Sequence, residues 1–359
     1  MAPSLLRPLL VRALSLFGVL LVVLVLLVIS LGATGYSDRI LVAQVGEELR
    51  ALRTSLAETI RDPDAVEEAL AARRQELESA YGLDRPWYER MPGMVVRVLT
   101  LDLGEARTLR SFEGSNRVSD IVLERLPNTV LLLTTALVLT AIIGLTLGVW
   151  LSTRVGSLID RLISYFAAVS FALPAWWTGI LFILVFSFYL QLLPSGGMYS
   201  SPPPAGGLER FLDLASHALL PVITLVLVSV GPYIYVVRTM TLNVAQEDHV
   251  TVARAKGMPG RIVARRHILR VAAPPIVTGL ILGLAGSLGG SILVETVFNW
   301  QGMGRLYYEA ILGTPDEALI VGLTFMFTLL YVIARLILEV LYVFLDPRVR
   351  YEDGQAGRP

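Results

Sequence analysis

Cysteine is absent from this chain of 359 residues. That excludes disulfides, thiolate nucleophiles and cysteine-ligated metal or iron–sulfur centres. Lysine is nearly absent too: of 30 basic residues only Lys256 is a lysine. Gly257 follows it, so the phosphate-binding GxxxxGK[ST] pattern cannot occur. Neither HExxH nor GxSxG is present, and His217, His249 and His267 are scattered. They read as surface or interfacial histidines, not ligands. Net charge is also lacking, at +0, so bulk charge indicates no nucleic-acid partner and only charge placement informs. A chain without these groups is expected to perform no chemistry of its own.

What is present is apolar sequence, 54% of the residues. Several runs of about 20 residues lack charge, which marks an all-α integral membrane protein. Six candidate spans fall at roughly 10–31, 127–151, 159–190, 214–237, 272–294 and 318–345. Each can cross a hydrocarbon core of about 30 Å at 1.5 Å per residue. The third run is too long for one straight helix, so Pro174 is expected to kink it, or its first turn lies along the membrane surface. Pro221 and Pro232 offer bending points in the fourth. The apolar core of the first span is longer than that of a cleaved signal peptide.

Arginine placement sets an expected orientation. Arg7 and Arg12 precede span 1, Arg154 and Arg161 lie between spans 2 and 3, and Arg348 and Arg350 follow span 6. Basic residues from Arg238 to Arg270 crowd the connection between spans 4 and 5. The short loops on the other side hold only Arg210 and Arg305. Both termini are therefore expected in the cytoplasm, and the protein in the plasma (inner) membrane.

The expected domains are 1–31 (N-terminal end and span 1), 32–126 (a small extracytoplasmic helical domain), 127–346 (spans 2–6, with a cytoplasmic loop at 238–271) and 347–359 (a cytoplasmic tail). Val45, Leu49, Leu52, Leu56 and Ile60 recur at helical spacing, as do Val66, Leu70, Leu77 and Tyr81. Pro127 in "LERLPNT" suits a helix start. The stretch "LPSGGMYSSPPPAGG" (193–207) reads as a loop. Trp150 and Trp300 suit interfacial belts. Arg335 and Glu339, four apart, can pair on one face of span 6, and Glu295 ends span 5, where it can cap or pair.

The basic loop stands apart. A helix is expected over Leu242–Ala255, with Leu242, Ala245, His249, Val252 and Ala253 near one face. Gly257 ends it as a C-cap and Pro259 prevents continuation. "RIVARRHILRVAAPP" then forms a second helix running into span 5. The tip, Ala253–Ala255–Gly257, is small enough for another protein to approach closely, and its basic flank favours an acidic partner or anionic lipid. Read alone, Arg261, Arg265, Arg266 and Arg270 could equally do no more than hold the loop on the cytoplasmic side.

"HVTVARAKGMPGRIVARRHILRVAAPP" (249–275) resembles the cytoplasmic EAA loop of ABC-importer permeases of the oligopeptide/dipeptide type. "YGLDRPWYERM", "LERLPNTVLL", "ALPAWWTGILFILVF", "ILVETVFNWQGMGRL" and "LYVFLDPRVRY" resemble further blocks of that family, in its order. The resemblance covers about 80–352 plus the first span. Thr251 stands where the general loop pattern has glutamate, Arg270 where it has proline, and "TPDEALI" (314–320) departs from the family's string there.

The resemblance implies a type I ABC importer permease fold and a coupling helix that docks on a cytoplasmic ATPase. The implied coupling residues are Thr251, Ala253, Arg254, Ala255, Lys256, Gly257, Arg261, Arg265 and His267. A translocation path near Pro174, Trp176, Trp177 and Glu295 is a further expectation. The implied partners are two ATPase subunits, which carry ATP and Mg, a second permease subunit and an extracytoplasmic solute-binding protein. No cofactor is expected on this chain. Implied cargo is di- or oligopeptides, with nickel chelates or oligosaccharides as alternatives. Two readings from other classes are an ion-gradient-driven secondary transporter and a membrane scaffold. The first would rest on Arg335, Glu339 and Glu295, but paired broken helices are not evident.

Overall fold

In the computed structural model residues 3–33, 35–59, 62–312 and 315–345 are described, and they are nearly all helical. The expected tail 347–359, with Arg348 and Arg350, and Ile60 lie outside them. The helices in chain order are α1 (Pro3–Ala33), α2 (Tyr36–Thr59), α3 (Pro63–Ala80), α4 (Trp87–Leu99), α5 (Val118–Ser152), α6 (Leu158–Ala172) and α7 (Ala175–Phe182). There follow α8 (Gly207–Ala245), α9 (Asp248–Ala255), α10 (Gly260–Ile262), α11 (Arg270–Val297), α12 (Met303–Ile311) and α13 (Glu317–Leu345). Two π-helical segments, Ile183–Tyr189 and Val263–Leu269, continue α7 and α10. The only bridge outside helices, among the described residues, joins Glu105 to Arg117.

Among the described residues α1, α5, α8 and α13 are each long and apolar enough to cross a membrane. The pair α6 and α7 with its π-helical continuation adds a fifth crossing if counted as one span, and it is bent by 101°. Pro174 sits at that break as the N-cap of α7, so the expected kink is a full corner. The fifth expected span falls within the unbroken α11, 28 residues long. Pro274 and Pro275 lie inside α11, and Pro221 and Pro232 inside the continuous α8.

Pro127 does not start its helix. Helix α5 begins at Val118, so the proline is in its interior. Val118, Ile121 and Val122 are buried against α1, α12 and α13 residues, and this packing holds the first turns helical despite the missing N–H.

Small residues set the closest helix contacts. Gly144 and Gly148 are four apart on the buried face of α5, a spacing that lets two backbones approach. A Cβ at Gly144 would lie 2.2 Å from Tyr233 Cδ1, and one at Gly148 would lie 2.7 Å from Val237 Cβ. Helix α6 crosses α8 at Gly231, where a Cβ would lie 2.7 Å from Ala167 Cα. Pro232, one residue on, donates no N–H to the carbonyl of Val228. Ser170 Oγ of α6 donates to it at 3.1 Å and to Leu227 O at 2.5 Å. Large apolar side chains such as Leu162, Tyr165 and Phe171 cover the free face of α6, as on a helix that meets lipid or another apolar chain.

The segments between spans 1 and 2 form a helical layer. Arg90 of α4 pairs with Asp38 of α2, and Tyr81 Oη donates to Glu48 Oε1 at 2.6 Å. Asp316 is buried, accepts the Arg107 N–H at 2.6 Å and the Leu319 N–H at 3.3 Å, and so caps α13 while tying it to the segment before α5. It belongs to the "TPDEALI" string that departs from the family pattern.

Candidate functional site

The loop between α8 and α11 is built around a short helix lying against its neighbours. Helix α8 stops at Ala245, and Gln246 and Glu247 turn the chain before α9 starts at Asp248. The expected continuous helix over Leu242–Ala255 is thus two helices. Val250 and Ala253, three apart on α9, are buried in a cluster with Val237, Val263, Ile268 and Ile276. Full burial of a valine contributes about 2 kcal/mol. Val252, expected on the inner face, is 51% exposed, because the turn at 246–247 resets the helix face.

The C-terminus of α9 is a Schellman motif. Gly257 has φ +72 and donates to Arg254 O at 2.9 Å, and Met258 N–H donates to Ala253 O at 3.3 Å. The glycine stop is as expected. Thr251, Arg254, Ala255, Lys256 and Gly257 are exposed and form an outward surface with Val252. Ala253 faces inward, so of the expected small tip only Ala255 and Gly257 are accessible.

Arg261 and Arg265 are exposed beyond the turn, while His267 is partly buried. His249 Nε2 lies 2.9 Å from His267 O, and His249 Nδ1 lies 3.1 Å from Glu247 Oε2. His249 therefore ties α9 to the π-helical segment, where one extra residue per turn reshapes the entry into α11.

A second polar knot lies beside this loop. Arg238, near the end of α8, makes a bidentate pair with Asp160 in the first turn of α6, with Nε–Oδ1 at 2.5 Å and Nη2–Oδ2 at 2.7 Å. Asp160 also accepts the Gly156 N–H at 2.9 Å. Arg238 entered the sequence reading only as one of many basic residues, and Asp160 did not enter it. Only tertiary proximity reveals the pair, because the two stand 78 positions apart.

The residues expected on a path do not come together. Trp176 and Trp177 project from α7, each partly exposed, beside the exposed Pro174. Glu295 is 0% exposed and accepts from Thr129 Oγ1 at 3.0 Å and from the Gly304 and Arg305 N–H groups at 2.8 and 3.2 Å. Its carboxylate thus caps the N-terminus of α12, where the helix dipole favours negative charge. Trp300 is 0% exposed and donates Nε1–H to Asn128 O at 3.0 Å. It is a core residue, not an interfacial anchor, because the turn Phe298–Gly302 folds it inward. Trp150 keeps an exposed edge, with the Arg154 guanidinium 4.4 Å from its ring.

His217 is also buried, with Nδ1 2.8 Å from Asp213 O, contrary to its surface reading. Asp213 accepts from Ser200 N–H and Oγ–H at 2.8 and 2.7 Å, pinning the irregular segment that the sequence marks as a loop. Glu339, expected to pair with Arg335 along α13, meets Arg12 Nε of α1 at 3.8 Å.

Residues 144–351 match the family described as binding-protein-dependent transport system inner membrane component. The chain belongs to that family. It is 30% identical over 280 residues to the oligopeptide transport system permease protein AppB of Bacillus subtilis, covering 78% of this chain and 86% of that one. It is 32% identical over 314 residues to the probable D,D-dipeptide transport system permease protein DdpB of Escherichia coli, covering 82% and 87%. It is 30% identical over 296 residues to the glutathione transport system permease protein GsiC of Salmonella typhimurium, covering 82% and 89%. This family and the long apolar helices make the chain a multi-pass membrane transport subunit.

Proposed function

We propose that this chain is a permease subunit of an ATP-driven importer that carries di- or oligopeptides, or closely similar small solutes, by alternating access. The observation that carries this reading is the exposed face of α9. It presents Thr251, Val252, Arg254, Ala255 and Lys256 outward on a helix whose inner face is locked to α8 and α11. A rigid lever joined to long apolar helices can pass an external push into the membrane. Names of relatives in oligopeptide, dipeptide and glutathione systems support the cargo class.

In this reading the chain has six spans and both termini in the cytoplasm, with 32–126 outside the membrane and 127–346 as the permease core. It binds no nucleotide itself. Two ATPase subunits receive α9 and its counterpart on a second permease chain, and a binding protein delivers solute to the outer face. When the ATPases close on ATP, α9 moves, and α8 and α11 move with it.

Reconstitution in liposomes tests the reading. Uptake is expected only when this chain is combined with its ATPases, second permease and binding protein, and only with ATP. Transport by the chain alone without nucleotide overturns it and favours an ion-driven carrier.

A further inference from the structure

From His249 to Val294 the chain holds no acidic residue, while Arg254, Lys256, Arg261, Arg265, Arg266 and Arg270 crowd the first part of that stretch. The first two belong to the outward surface of α9. The other four lie past the turn at Gly257, on the run from α10 through the π-helical segment to the first residue of α11.

π-Helical bonds close over five residues instead of four, so side chains four and five apart share a face. Each of these four arginines stands four or five positions from two of the others. In an α-helix, positions five apart diverge by about 140°, and the set would spread around the axis. All four are exposed. Val263, Ile268 and Ala272, five and then four apart, are buried together with residues of α8 and α9. The segment thus turns an apolar stripe inward and an arginine stripe outward. Among the described residues, none of the four side chains forms an ion pair or a hydrogen bond. Arg265, Arg266 and Arg270 start within about 11 Å of the fifth expected span, 272–294, at 1.5 Å per residue. That is within reach of the headgroup layer for a side chain that snorkels.

We propose that this stripe is a docking surface for the headgroups of anionic phospholipids, with the four guanidinium groups sharing their phosphate oxygens. Planar guanidinium forks match phosphate geometry. Four arginines gathered at the end of a span attract an anionic leaflet. Ile262 and Val271, both exposed, flank the stripe and suit the apolar side of the same interface. The surface proposed to meet the ATPase lies across the Gly257–Pro259 turn, on α9. Arg261 and Arg265, expected on the ATPase contact, are assigned here to lipid. Bound headgroups hold the entry to α11 at the membrane surface. Lipid binding of this kind requires only that the chain spans a membrane, whatever its cargo.

The test titrates the full chain in neutral detergent with short-chain phosphatidylglycerol and, separately, short-chain phosphatidylcholine, counting bound lipid by native mass spectrometry. Phosphatidylglycerol is expected to bind more tightly. Arg261→Gln, Arg265→Gln, Arg266→Gln and Arg270→Gln are each expected to weaken it by about fivefold, the worth of one basic residue near an anionic surface, and to leave phosphatidylcholine unchanged. Arg265→Lys keeps the charge and is expected to keep most of the preference. If one glutamine variant fails to insert, the other three decide. Equal binding of the two lipids by the wild type, or an unaltered preference in the glutamine variants, overturns the stripe. So does an equal loss in Arg254→Gln, which would make the loop's charge act in bulk. Displacement of phosphatidylglycerol by inorganic phosphate at matching concentration would make the free anion the ligand and overturn the lipid assignment. Loss of ATPase copurification in the glutamine variants with lipid preference unchanged would give the stripe to the protein partner instead.

Discussion

Arg238 grips Asp160 through two parallel hydrogen bonds, at 2.5 and 2.7 Å, and thereby joins the end of α8 to the start of α6. Asp160 is buried, so removing the arginine strands a carboxylate away from water. Fork-to-fork geometry of this kind is rigid as well as strong. The pair therefore couples the helix that leads into α9 to the bent α6–α7 unit.

The first prediction follows from that clamp. Arg238→Ala is expected to destabilise the protein by about 3 kcal/mol, the cost of breaking a buried pair. Arg238→Ala combined with Asp160→Ala is expected to cost clearly less than the two single losses added together. Thermal melts of the detergent-purified protein measure this. Strictly additive losses would show that the two side chains do not interact.

A second prediction concerns Gly302. A Cβ there would stand 2.3 Å from Glu295 Oε2 and 2.5 Å from Thr129 Oγ1. Gly302→Ala must displace the carboxylate that caps α12, with an expected loss of about 2 kcal/mol. In a Glu295→Ala, Thr129→Ala background both contacts are gone, so the same change is expected to cost much less. An equal loss in both backgrounds, read from melting curves, places the strain elsewhere.

Ser170 yields a third. Its hydroxyl donates mainly to Leu227 O at 2.5 Å and, at 3.1 Å, to the Val228 carbonyl that Pro232 leaves without a helical donor. Ser170→Ala is expected to cost about 1 kcal/mol. Replacing Pro232 by alanine restores the N–H to the Val228 carbonyl, so Ser170→Ala should then cost less, with only the Leu227 bond still lost. A double-mutant cycle on stability decides, and an undiminished cost in the Pro232→Ala protein rules the role out.

Much of the helix plan was legible in local sequence, and the reasons are physical. Unbroken apolar runs announce long helices, and the Gly257–Pro259 pair announces a stop because positive φ suits glycine. The 101° break at Pro174 follows from proline's missing N–H. Residues whose role depends on distant partners were not legible. Glu295 was expected to cap or pair at the end of span 5, but the N–H groups it caps belong to the next helix, nine and ten residues on, across a turn in which Phe298 and Trp300 are buried. Trp300 and His217 were read outward because amphipathic side chains often lie at membrane surfaces, yet each is buried beside a backbone carbonyl. Of the site, the loop and its stop were legible. The outward turn of Val252 was not, because the break at Gln246–Glu247 changes the helix phase.

The last prediction takes the exposed end of α9. Among the described residues a Cβ at Gly257 would meet nothing within 4 Å, but φ +72 makes any other residue strained. Gly257→Ala is expected to cost about 1 kcal/mol and to leave most ATP-dependent uptake intact. Gly257→Asp carries a similar strain and adds a negative charge beside Lys256, on the surface proposed to meet the ATPase. It is expected to abolish uptake while membrane insertion and melting temperature stay close to those of Gly257→Ala. Comparing the two variants separates strain from docking, since both share the first and only aspartate disturbs the second. Retention of ATPase binding and uptake by Gly257→Asp would mean that the partner seats elsewhere on the loop.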